Sequence, residues 1–438
     1  MKSSKPLIVI LGGGESGIGA AYLAKKKGFE VLVSDKGIIK DEHKAYLEER
    51  KIEFEEGHHT LERIFQAKEV IKSPGIPDHI PIIQGLIQRG IGVISEIEFA
   101  ARYTKAFVIG ITGSNGKTTT TRLIYHILKT AGKKVAMAGN VGRSFAREIA
   151  EENDADIYVL ELSSFQLDGI IDFRANIAMI LNISPDHLDR YAYKMENYIA
   201  SKFRITENQQ EDDHFLYNAD DLNITKTLAD KKISAIPIAI DQSMAEFEKV
   251  EVQSQTYVVR NPSLKGPHNL MNALFAVTVA SMLKTGSASI QEGLDSFVNV
   301  AHRLERVREL NEVVFYNDSK ATNIEAVFYG LQAMDKPIVW IVGGQDKGND
   351  YSILLPLVKE KVKTIICMGI DNSKIRSAFQ HLNIPMLETG SATEAVKVAY
   401  EQASKGQVVL LSPACASFDL FKNYEDRGDQ FKAAVLAL

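Results

Sequence analysis

The chain has few cysteines, no long apolar run and no excess of basic charge, and each absence excludes a class of protein. Only Cys367 and Cys415 occur among 438 residues, which excludes a disulfide framework and favours a reducing compartment. No apolar run approaches the ~20 residues of a membrane-spanning helix, and the first residues lack the apolar core of a signal peptide. We therefore expect a cytoplasmic protein without a membrane partner.

The charge balance also bears on partners. The formal net charge is −5 and the isoelectric point is about 6.1, whereas nucleic-acid binding needs a basic stripe. We therefore expect no nucleic-acid partner. A hydrophobic content of 45% and a charged content of 24% are typical of a globular protein. We also expect a monomer.

Short apolar runs alternate with helical patterns along the whole chain. Continuous apolar strands are typical of sheets covered on both faces, and the strand–helix–strand rhythm predicts an α/β fold with doubly wound parallel sheets. We predict three domains: a Rossmann-like domain over 1–93, a central P-loop ATPase domain with a mostly parallel sheet over 94–300, and a Rossmann-like domain over 301–438. Within the second, 212–265 is expected to be irregular or mixed β.

A glycine-rich loop followed by Lys-Thr is the strongest motif. An apolar run, 106–109, precedes it, and a helix is predicted over 120–130. Glycines let backbone N–H groups surround phosphate oxygens, the lysine reaches the β- and γ-phosphates, and the threonine hydroxyl meets Mg²⁺. The strict motif has a glycine where this chain has Ile111. The predicted ATP-binding residues of the loop are Gly113, Ser114, Asn115, Gly116, Lys117, Thr118 and Thr119.

A second glycine-rich turn lies near the start of the chain. Residues 12–17 match G-x-G-x-x-G, and Asp35 ends the next predicted strand. This pattern is typical of dinucleotide binding and keeps an NAD(P)-dependent oxidoreductase open, but the same geometry serves any nucleoside diphosphate.

Other polar residues follow apolar runs, where ligands of parallel sheets bind. Glu161 ends a strand expected beside the phosphate-loop strand and suits Mg²⁺. His187 follows another strand, with functional and structural roles equally open. Lys202 shares a helical stripe with apolar residues, and the residues alone favour a snorkelling lysine over a desolvated amine that reacts with CO₂.

Two further groups of polar residues have open roles. Asn269 and Asn272 share one helix face, where their amides either read a nucleotide base or cap the helix. Three polar segments, 318–323, 343–347 and 412–417, follow strands near the end of the chain and suit a small anionic substrate.

Taken in order, these motifs resemble the ATP-dependent Mur ligases of peptidoglycan synthesis. The loop 111–118 has the form found in that family, which accounts for the missing glycine. Segments 161–167, 186–191, 317–323, 411–419 and 421–424 also resemble it, and the last two are the most specific. The chain lacks the Asp-Asn-Pro-Arg signature of members that add diaminopimelate, and it is most similar to members that add D-glutamate.

The resemblance implies a reaction and a set of site residues. ATP would phosphorylate the carboxylate of UDP-N-acetylmuramoyl-L-alanine, and the amine of D-glutamate would attack the acyl phosphate, with ATP and two Mg²⁺ ions bound. The catalytic residues would be Lys117, His187 and Lys202, and the metal ligands Thr118, Glu161, His187 and Lys202, the last as a CO₂-derived carbamate. ATP would also meet Asn269, Asn272, Arg303 and Asp318. The UDP-sugar would meet Gly14, Glu15, Ser16, Asp35, Lys36, Ser73, Pro74, Gly75 and Asn140. D-Glutamate would meet Lys320, Thr322, Lys347, Ser417 and Tyr424.

Three alternatives remain open beside this interpretation. The first is another Mur-type or folylpolyglutamate-type ligase, the second an NAD(P)-dependent oxidoreductase, and the third a nucleotide-binding regulator without catalysis.

Overall fold

Apolar strands pair in parallel through most of the protein, as the continuous apolar runs predict. The computed structural model describes residues 5–152, 154–346 and 348–438. The chain divides into two compact units. One contains the chain up to Val258 together with Asn272–Leu294, and the other contains Val259–Met271 together with Asp295–Leu438. The domain boundaries at 93/94 and 300/301 stay predictions.

The first sheet has five parallel strands in the order β3-β2-β1-β4-β5. This order reverses between β1 and β4, and the ligand crevice of such sheets lies at that reversal, outside the carboxyl ends of the strands. The strands are β1 Leu7–Leu11, β2 Glu30–Asp35, β3 Glu53–Glu56, β4 Glu69–Lys72 and β5 Gly92–Ser95. The helices are α1 Glu15–Lys26, α2 Asp41–Glu49, α3 Leu61–Ile64, α4 Pro81–Gln88 and α5 Glu96–Ala101.

The second sheet has six parallel strands in the order β11-β10-β9-β6-β8-β7. Its strands are β6 Phe107–Thr112, β7 Val135–Gly139, β8 Ile157–Glu161, β9 Ile177–Ile180, β10 His214–Asn218 and β11 Ile236–Ile240. Its helices are α6 Lys117–Thr130, α7 Phe145–Ala150, α8 Ser164–Leu167, α9 Met195–Phe203 and α10 Leu222–Asp230, followed by α11 Pro267–Met282 and α12 Ser287–Ser296.

The segment 212–265 is more regular than the sequence predicts. It adds β10, α10 and β11 to the central sheet before a small antiparallel sheet of β12 Ala245–Glu246, β13 Lys249–Val252 and β14 Gln255–Val258. The pattern was missed because β11 lies at the sheet edge with three of its five residues exposed, so its sequence lacks the continuous burial signal.

The second compact unit contains a six-stranded sheet in the order β15-β16-β20-β17-β18-β19. Its edge strand β15 is antiparallel, and the other strands are parallel. The strands are β15 Glu305–Leu310, β16 Val313–Asn317, β17 Ile338–Gly343, β18 Val362–Met368, β19 Met386–Thr389 and β20 Val408–Ala414. The helices are α13 Ile324–Gln332, α14 Leu355–Lys361, α15 Ser373–Phe379, α16 Ala392–Gln402 and α17 Tyr424–Ala437.

Buried and interlocking contacts make the first two sheets one compact unit. The Glu98 carboxylate on α5 is fully buried and accepts three backbone N–H bonds from 171–173, at 2.8 to 2.9 Å. Arg147 on α7 pairs with Glu15 on α1 at 3.1 Å, and its guanidinium carbon lies 4.5 Å from the Tyr46 ring centre. Helix α1 approaches α7 so closely that a Cβ on Gly19 would lie 2.0 Å from the Ser144 hydroxyl oxygen.

We expect Gly19→Ala to loosen this packing. Alanine favours helix over glycine by about 1 kcal/mol, but the added methyl meets Ser144, which caps α7, and such overpacking costs about 1–3 kcal/mol. The thermal unfolding midpoint should fall. Gly286→Ala is the control, because a Cβ there meets nothing within 4 Å. Equal midpoints for the two variants would contradict the close packing.

Candidate active site

Two glycines shape the phosphate loop between β6 and α6. Gly113 and Gly116 have φ angles of 152° and 85°, a backbone region that side chains rarely adopt. A Cβ on Gly116 would lie 2.5 Å from the amide oxygen of Asn272, which also accepts a bond from the Thr120 hydroxyl at 3.1 Å. The predicted ATP-binding Asn272 therefore lies against the phosphate loop rather than capping its own helix.

The loop is held by a residue that the sequence interpretation did not select. Asn182 accepts from the Asn115 backbone N–H through its side-chain oxygen at 2.8 Å, donates to the Asn115 carbonyl at 3.0 Å, and accepts from the Ser114 N–H through its own carbonyl at 2.9 Å. Its position directly after an apolar strand was a usable signal. These bonds hold the loop in this conformation.

Two lysine amines converge on this loop. Lys117 Nζ donates to the carbonyls of Gly113 and Ser114 at 2.8 and 2.9 Å, and Lys202 Nζ donates to the Gly113 carbonyl at 2.8 Å. Burial, and then the positive charge of Lys117, hold the pKa of Lys202 well below its usual range. Lys202 is 1% exposed, so the snorkelling interpretation is wrong: helix α9 turns the amine into the protein.

Glu161 provides a carboxylate oxygen suited to a divalent cation. It pairs with Ile111 of β6 across the sheet and is 2% exposed. Its Oε1 accepts from the Asn140 amide at 2.8 Å, whereas its Oε2 is buried and has no hydrogen-bond partner among the described residues. An orphaned buried carboxylate oxygen is costly unless a cation or water completes it.

Two further predicted metal ligands, Thr118 and His187, show less direct signs of a metal site. The Thr118 side chain is buried in the first turn of α6, and the His187 imidazole is 54% exposed with its ring centre 5.2 Å from that of Phe165. The part of the chain that the structure describes contains no cluster of three His, Cys, Asp or Glu ready for a metal. The unpartnered Glu161 oxygen and the Thr118 hydroxyl fit Mg²⁺, which keeps water and phosphate ligands and takes one or two ligands from the protein.

A cavity of about 300 Å³ is lined by residues from two predicted sets, the UDP-sugar set and the catalytic set. Pro74, Gly75 and Asn140 come from the predicted UDP-sugar set, and Lys117, His187 and Lys202 from the catalytic set. The remaining lining residues are Ser163, Ser164, Phe165, Asp186 and Tyr198.

The glycine-rich turn after β1 is tightly built. A Cβ on Gly17 would lie 1.9 Å from the Gly12 carbonyl oxygen, and a Cβ on Gly12, whose φ is 98°, would lie 2.4 Å from the Ser73 hydroxyl. Asp35 accepts backbone N–H bonds from Gly13 and Gly37 at 2.7 and 2.8 Å. Asp35 therefore joins the loops after β1 and β2 at the ligand edge of the sheet.

The structure places four further predicted UDP-sugar residues around this turn. Gly14 is exposed at the start of α1, and Ser16 lies half-buried in its first turn. Lys36 is exposed beside Asp35. Glu15 instead faces α7, accepting from the Ser144 N–H at 3.2 Å and pairing with Arg147.

In the second compact unit, Asp318 and Arg303 are residues predicted to contact ATP. Asp318 accepts from the Ser412 hydroxyl at 2.9 Å and from the Leu304 N–H at 3.2 Å. Burial raises the pKa of Asp318 to about 7, although the Ser412 bond and nearby Arg303 oppose the shift. The Arg303 Nε is buried and has no hydrogen-bond partner among the described residues. Asn269 donates to the Lys265 carbonyl at 2.9 Å.

The predicted D-glutamate residues follow β16 and β20 or begin α17. The Lys320 amine lies 5.3 Å from the Tyr424 ring centre, Ser417 is buried, and Thr322 is exposed. Lys347 lies outside the described residues. The two cysteines are buried and unpaired. No helix in the described ranges is long and apolar enough to cross a membrane.

Arg427, a buried arginine of α17, organises these loops and was missed. It donates to the Ser319 hydroxyl at 3.0 Å and to the carbonyls of Ser319 and Cys415 at 2.9 and 3.2 Å. Burial lowers the pKa of Arg427 to about 10, so the side chain stays charged at neutral pH. A single arginine in a helix carries no sequence signal for this role.

We expect Asp318→Asn to become more stabilising as pH rises. The folded state holds the Asp318 proton up to about pH 7, whereas the unfolded state releases it near the ordinary pKa of 3.8, so the contribution of wild-type Asp318 to stability falls between these values. Urea unfolding without nucleotide at about pH 4.5 and about pH 8 should show the variant gaining a few kcal/mol over wild type at the higher pH. A pH-independent difference would contradict the buried neutral carboxyl.

Comparison with known proteins places these sites in a family. Three family models match: the "MurD N-terminal domain" over 7–81, the "Mur ligase middle domain" over 111–280, and the "Mur ligase, glutamate ligase domain" over 302–415. Curated proteins named UDP-N-acetylmuramoylalanine--D-glutamate ligase are 54% identical in Christiangramia forsetii and 51% identical in Bacteroides thetaiotaomicron. Each alignment covers 98% of this chain, and 98% and 99% of the relative.

Solved structures show the same fold at low identity. The UDP-N-acetylmuramate-alanine ligase of Thermotoga maritima superposes with a TM-score of 0.64 at 19% identity, over 99% of both chains. A folylpolyglutamate synthase of Mycobacterium tuberculosis superposes with a TM-score of 0.58 at 15% identity, over 76% of this chain and 91% of that one. From the curated relatives and the three family models, the chain belongs to the Mur ligase family, among the UDP-N-acetylmuramoylalanine–D-glutamate ligases.

Proposed function

We propose that this protein is an ATP-dependent ligase that adds D-glutamate to UDP-N-acetylmuramoyl-L-alanine, a step of peptidoglycan precursor synthesis and so of cell wall biogenesis, cell shape and cell division. The observation that carries the proposal is the cavity of the first compact unit. It joins the phosphate-loop Lys117 and the buried Lys202 to Pro74, Gly75 and Asn140 on the predicted UDP-sugar side. This shared cavity supports adjoining binding sites for the phosphate donor and the carboxylate acceptor.

The proposed reaction has two steps, phosphorylation of the carboxylate and then formation of the amide. A carboxylate oxygen of the muramoyl substrate attacks the γ-phosphorus of ATP, and ADP leaves. The D-glutamate amine then attacks the acyl carbon, inorganic phosphate leaves, and the amine nitrogen loses a proton. Phosphorylation is needed because a carboxylate is a poor electrophile. The negative charges of the ATP phosphates and the substrate carboxylate must be stabilised by positive charge and oriented hydrogen-bond donors. Lys117 and the phosphate-loop N–H groups would supply both.

Glu161, Thr118 and His187 are the residues that would hold two Mg²⁺ ions, together with Lys202 as a carbamate. When bound, Mg²⁺ neutralises phosphate charge and polarises the phosphoryl oxygens. The depressed pKa of Lys202 supports the carbamate, because a neutral amine adds to CO₂, releases one proton and becomes an anionic ligand. The buried, unpaired Glu161 Oε2 supports the neighbouring metal position.

The second compact unit supplies the remaining proposed contacts. Arg303, Asp318 and Asn269 would meet ATP, and Lys320, Thr322, Lys347, Ser417 and Tyr424 would meet D-glutamate; Asn272, in the first unit, is a further proposed ATP contact. The proposed UDP-sugar contacts around β1 are Gly14, Ser16, Asp35, Lys36 and Ser73. Glu15 would contact the substrate through its backbone, because its carboxylate bonds to Ser144 and Arg147.

We further infer a cytoplasmic monomer. The two cysteines are unpaired thiols, which suits a reducing compartment, and ATP is available there. Light scattering behind size-exclusion chromatography should give the mass of one chain, 48.5 kDa.

The amino-acid choice is tested by ADP release. Purified protein with ATP, Mg²⁺ and UDP-N-acetylmuramoyl-L-alanine should release ADP with D-glutamate, and should release far less with L-glutamate, L-alanine or diaminopimelate. Preference for another amino acid would favour a different Mur-type or folylpolyglutamate-type ligase, and no ADP with any of them would favour a regulator. The oxidoreductase alternative is set aside, because residues 12–17 fall inside the matched N-terminal family domain.

We expect Lys202→Ala to lose most activity, about 100-fold or more, because the proposed carbamate ligand is lost. Added acetate should partly restore the rate by supplying a carboxylate. The matched control is Lys129→Ala, since Lys129 also lies over a tyrosine ring, 5.2 Å from its centre, but on an exposed helix face. Wild-type activity in Lys202→Gln, or no response to acetate, would contradict the carbamate.

A further inference from the structure

Arg190 is one side chain that touches three parts of the cavity wall. Its guanidinium donates to the Gly75 carbonyl at 3.2 Å and to the Pro74 carbonyl at 3.4 Å, and its central carbon lies 4.4 Å from the Phe165 ring centre. Pro74, Gly75 and Phe165 all line the cavity. Arg190 belongs to the central domain, whereas Pro74 and Gly75 follow strand β4 of the first sheet.

The backbone around Arg190 presents His187 in a strained conformation. Residues Leu188–Tyr191 form a short 3₁₀ helix, and its flanking residues His187 and Ala192 have φ angles of 53° and 55°. Non-glycine residues keep this backbone region only where their surroundings hold them. The Arg190 N–H donates to the His187 carbonyl at 3.0 Å, so the residue that closes this turn also reaches the first sheet.

The loop that follows β4 and contains Pro74 and Gly75 is also held at its far end, by Lys72. The buried Lys72 amine donates to the Ile76 carbonyl at 2.8 Å and pairs with Asp78 at 2.7 Å. Lys72 therefore fixes residues 76–78, while Arg190 holds Pro74 and Gly75, which line the cavity. A guanidinium suits this task because its planar fork bonds two carbonyls while its face lies on a ring, which an ammonium cannot reproduce.

We propose that Arg190 is a positioning residue for the UDP-sugar substrate: it fixes the Pro74–Gly75 wall relative to the His187 turn, so that the substrate carboxylate is held in line with the phosphate loop. This inference rests on the proposed function for the identity of that substrate. Arg190 itself does not touch the reacting atoms.

Kinetics separate this role from general stability. Arg190→Gln should raise KM for UDP-N-acetylmuramoyl-L-alanine about ten-fold, the usual scale for losing hydrogen bonds from a charged donor, while KM for D-glutamate stays unchanged. Arg190→Lys should restore little of the loss. The matched control is Arg89→Gln, because Arg89 also donates to a carbonyl, that of Gly85 at 2.9 Å, and lies 4.0 Å over a phenylalanine ring, that of Phe65, but neither partner lines the cavity. It should leave both KM values unchanged.

Hydrogen exchange provides a readout that needs no substrate. The Ser73 and Ile76 amides bond to the carbonyls of Leu11 and Ser73 at 2.9 and 3.0 Å, and both should exchange faster in Arg190→Gln, as should the His187 turn, while 113–116 stays protected. Unchanged exchange at 73–76, faster exchange without a rise in KM, or an equal rise in both KM values would each overturn the positioning role. A wild-type protein inactive with this substrate would instead refute the proposed function, and exchange alone would then decide whether Arg190 holds the loop.

Discussion

Two lysine amines share one carbonyl oxygen, that of Gly113, and the proposed chemistry depends on this contact. Lys117 and Lys202 each lie 2.8 Å from it. Burial of Lys202, and then the positive charge of the nearby Lys117, disfavour the charged form of the Lys202 amine and lower its pKa. In the proposed chemistry, Lys117 would meet the phosphate charge and Lys202 would add to CO₂.

The phosphate loop and its neighbouring side chains are held by strands as well as by loops. The phosphate loop is tied to Asn182, which follows β9, and Glu161 ends β8, so two strands flanking β6 carry the neighbours of the loop. Parallel pairing sets all three carboxyl ends at one edge of the sheet. Helix α9 then delivers Lys202 to the same edge.

The proposed UDP-sugar contacts depend on how the first two sheets join. Glu98 on α5 accepts from the backbone N–H groups of 171–173, which precede β9 of the second sheet, and the Glu15–Arg147 pair ties α1 to α7. Glu15 illustrates a limit of motif interpretation: its place in the glycine-rich turn indicates a ligand contact, but its carboxylate bonds to the central domain. In the second compact unit, Arg427 has a comparable organising role, bonding the loops that follow β16 and β20.

Periodicity and strand-tip motifs in the sequence determined the parallel α/β architecture, the phosphate loop, and the position of Glu161 at the end of the strand beside the phosphate-loop strand, because each depends on local patterns and on the rule that ligands meet strand carboxyl ends. The tertiary structure decided what no local pattern encodes. It buried the Lys202 amine instead of letting it snorkel, turned Glu15 towards Arg147, and made Asn182, Arg190 and Arg427 the residues that hold the site loops. The physical reason is that burial and hydrogen-bond partners are set by segments distant in sequence: Lys202 and Gly113 are 89 residues apart, and Arg190 and Gly75 are 115 apart.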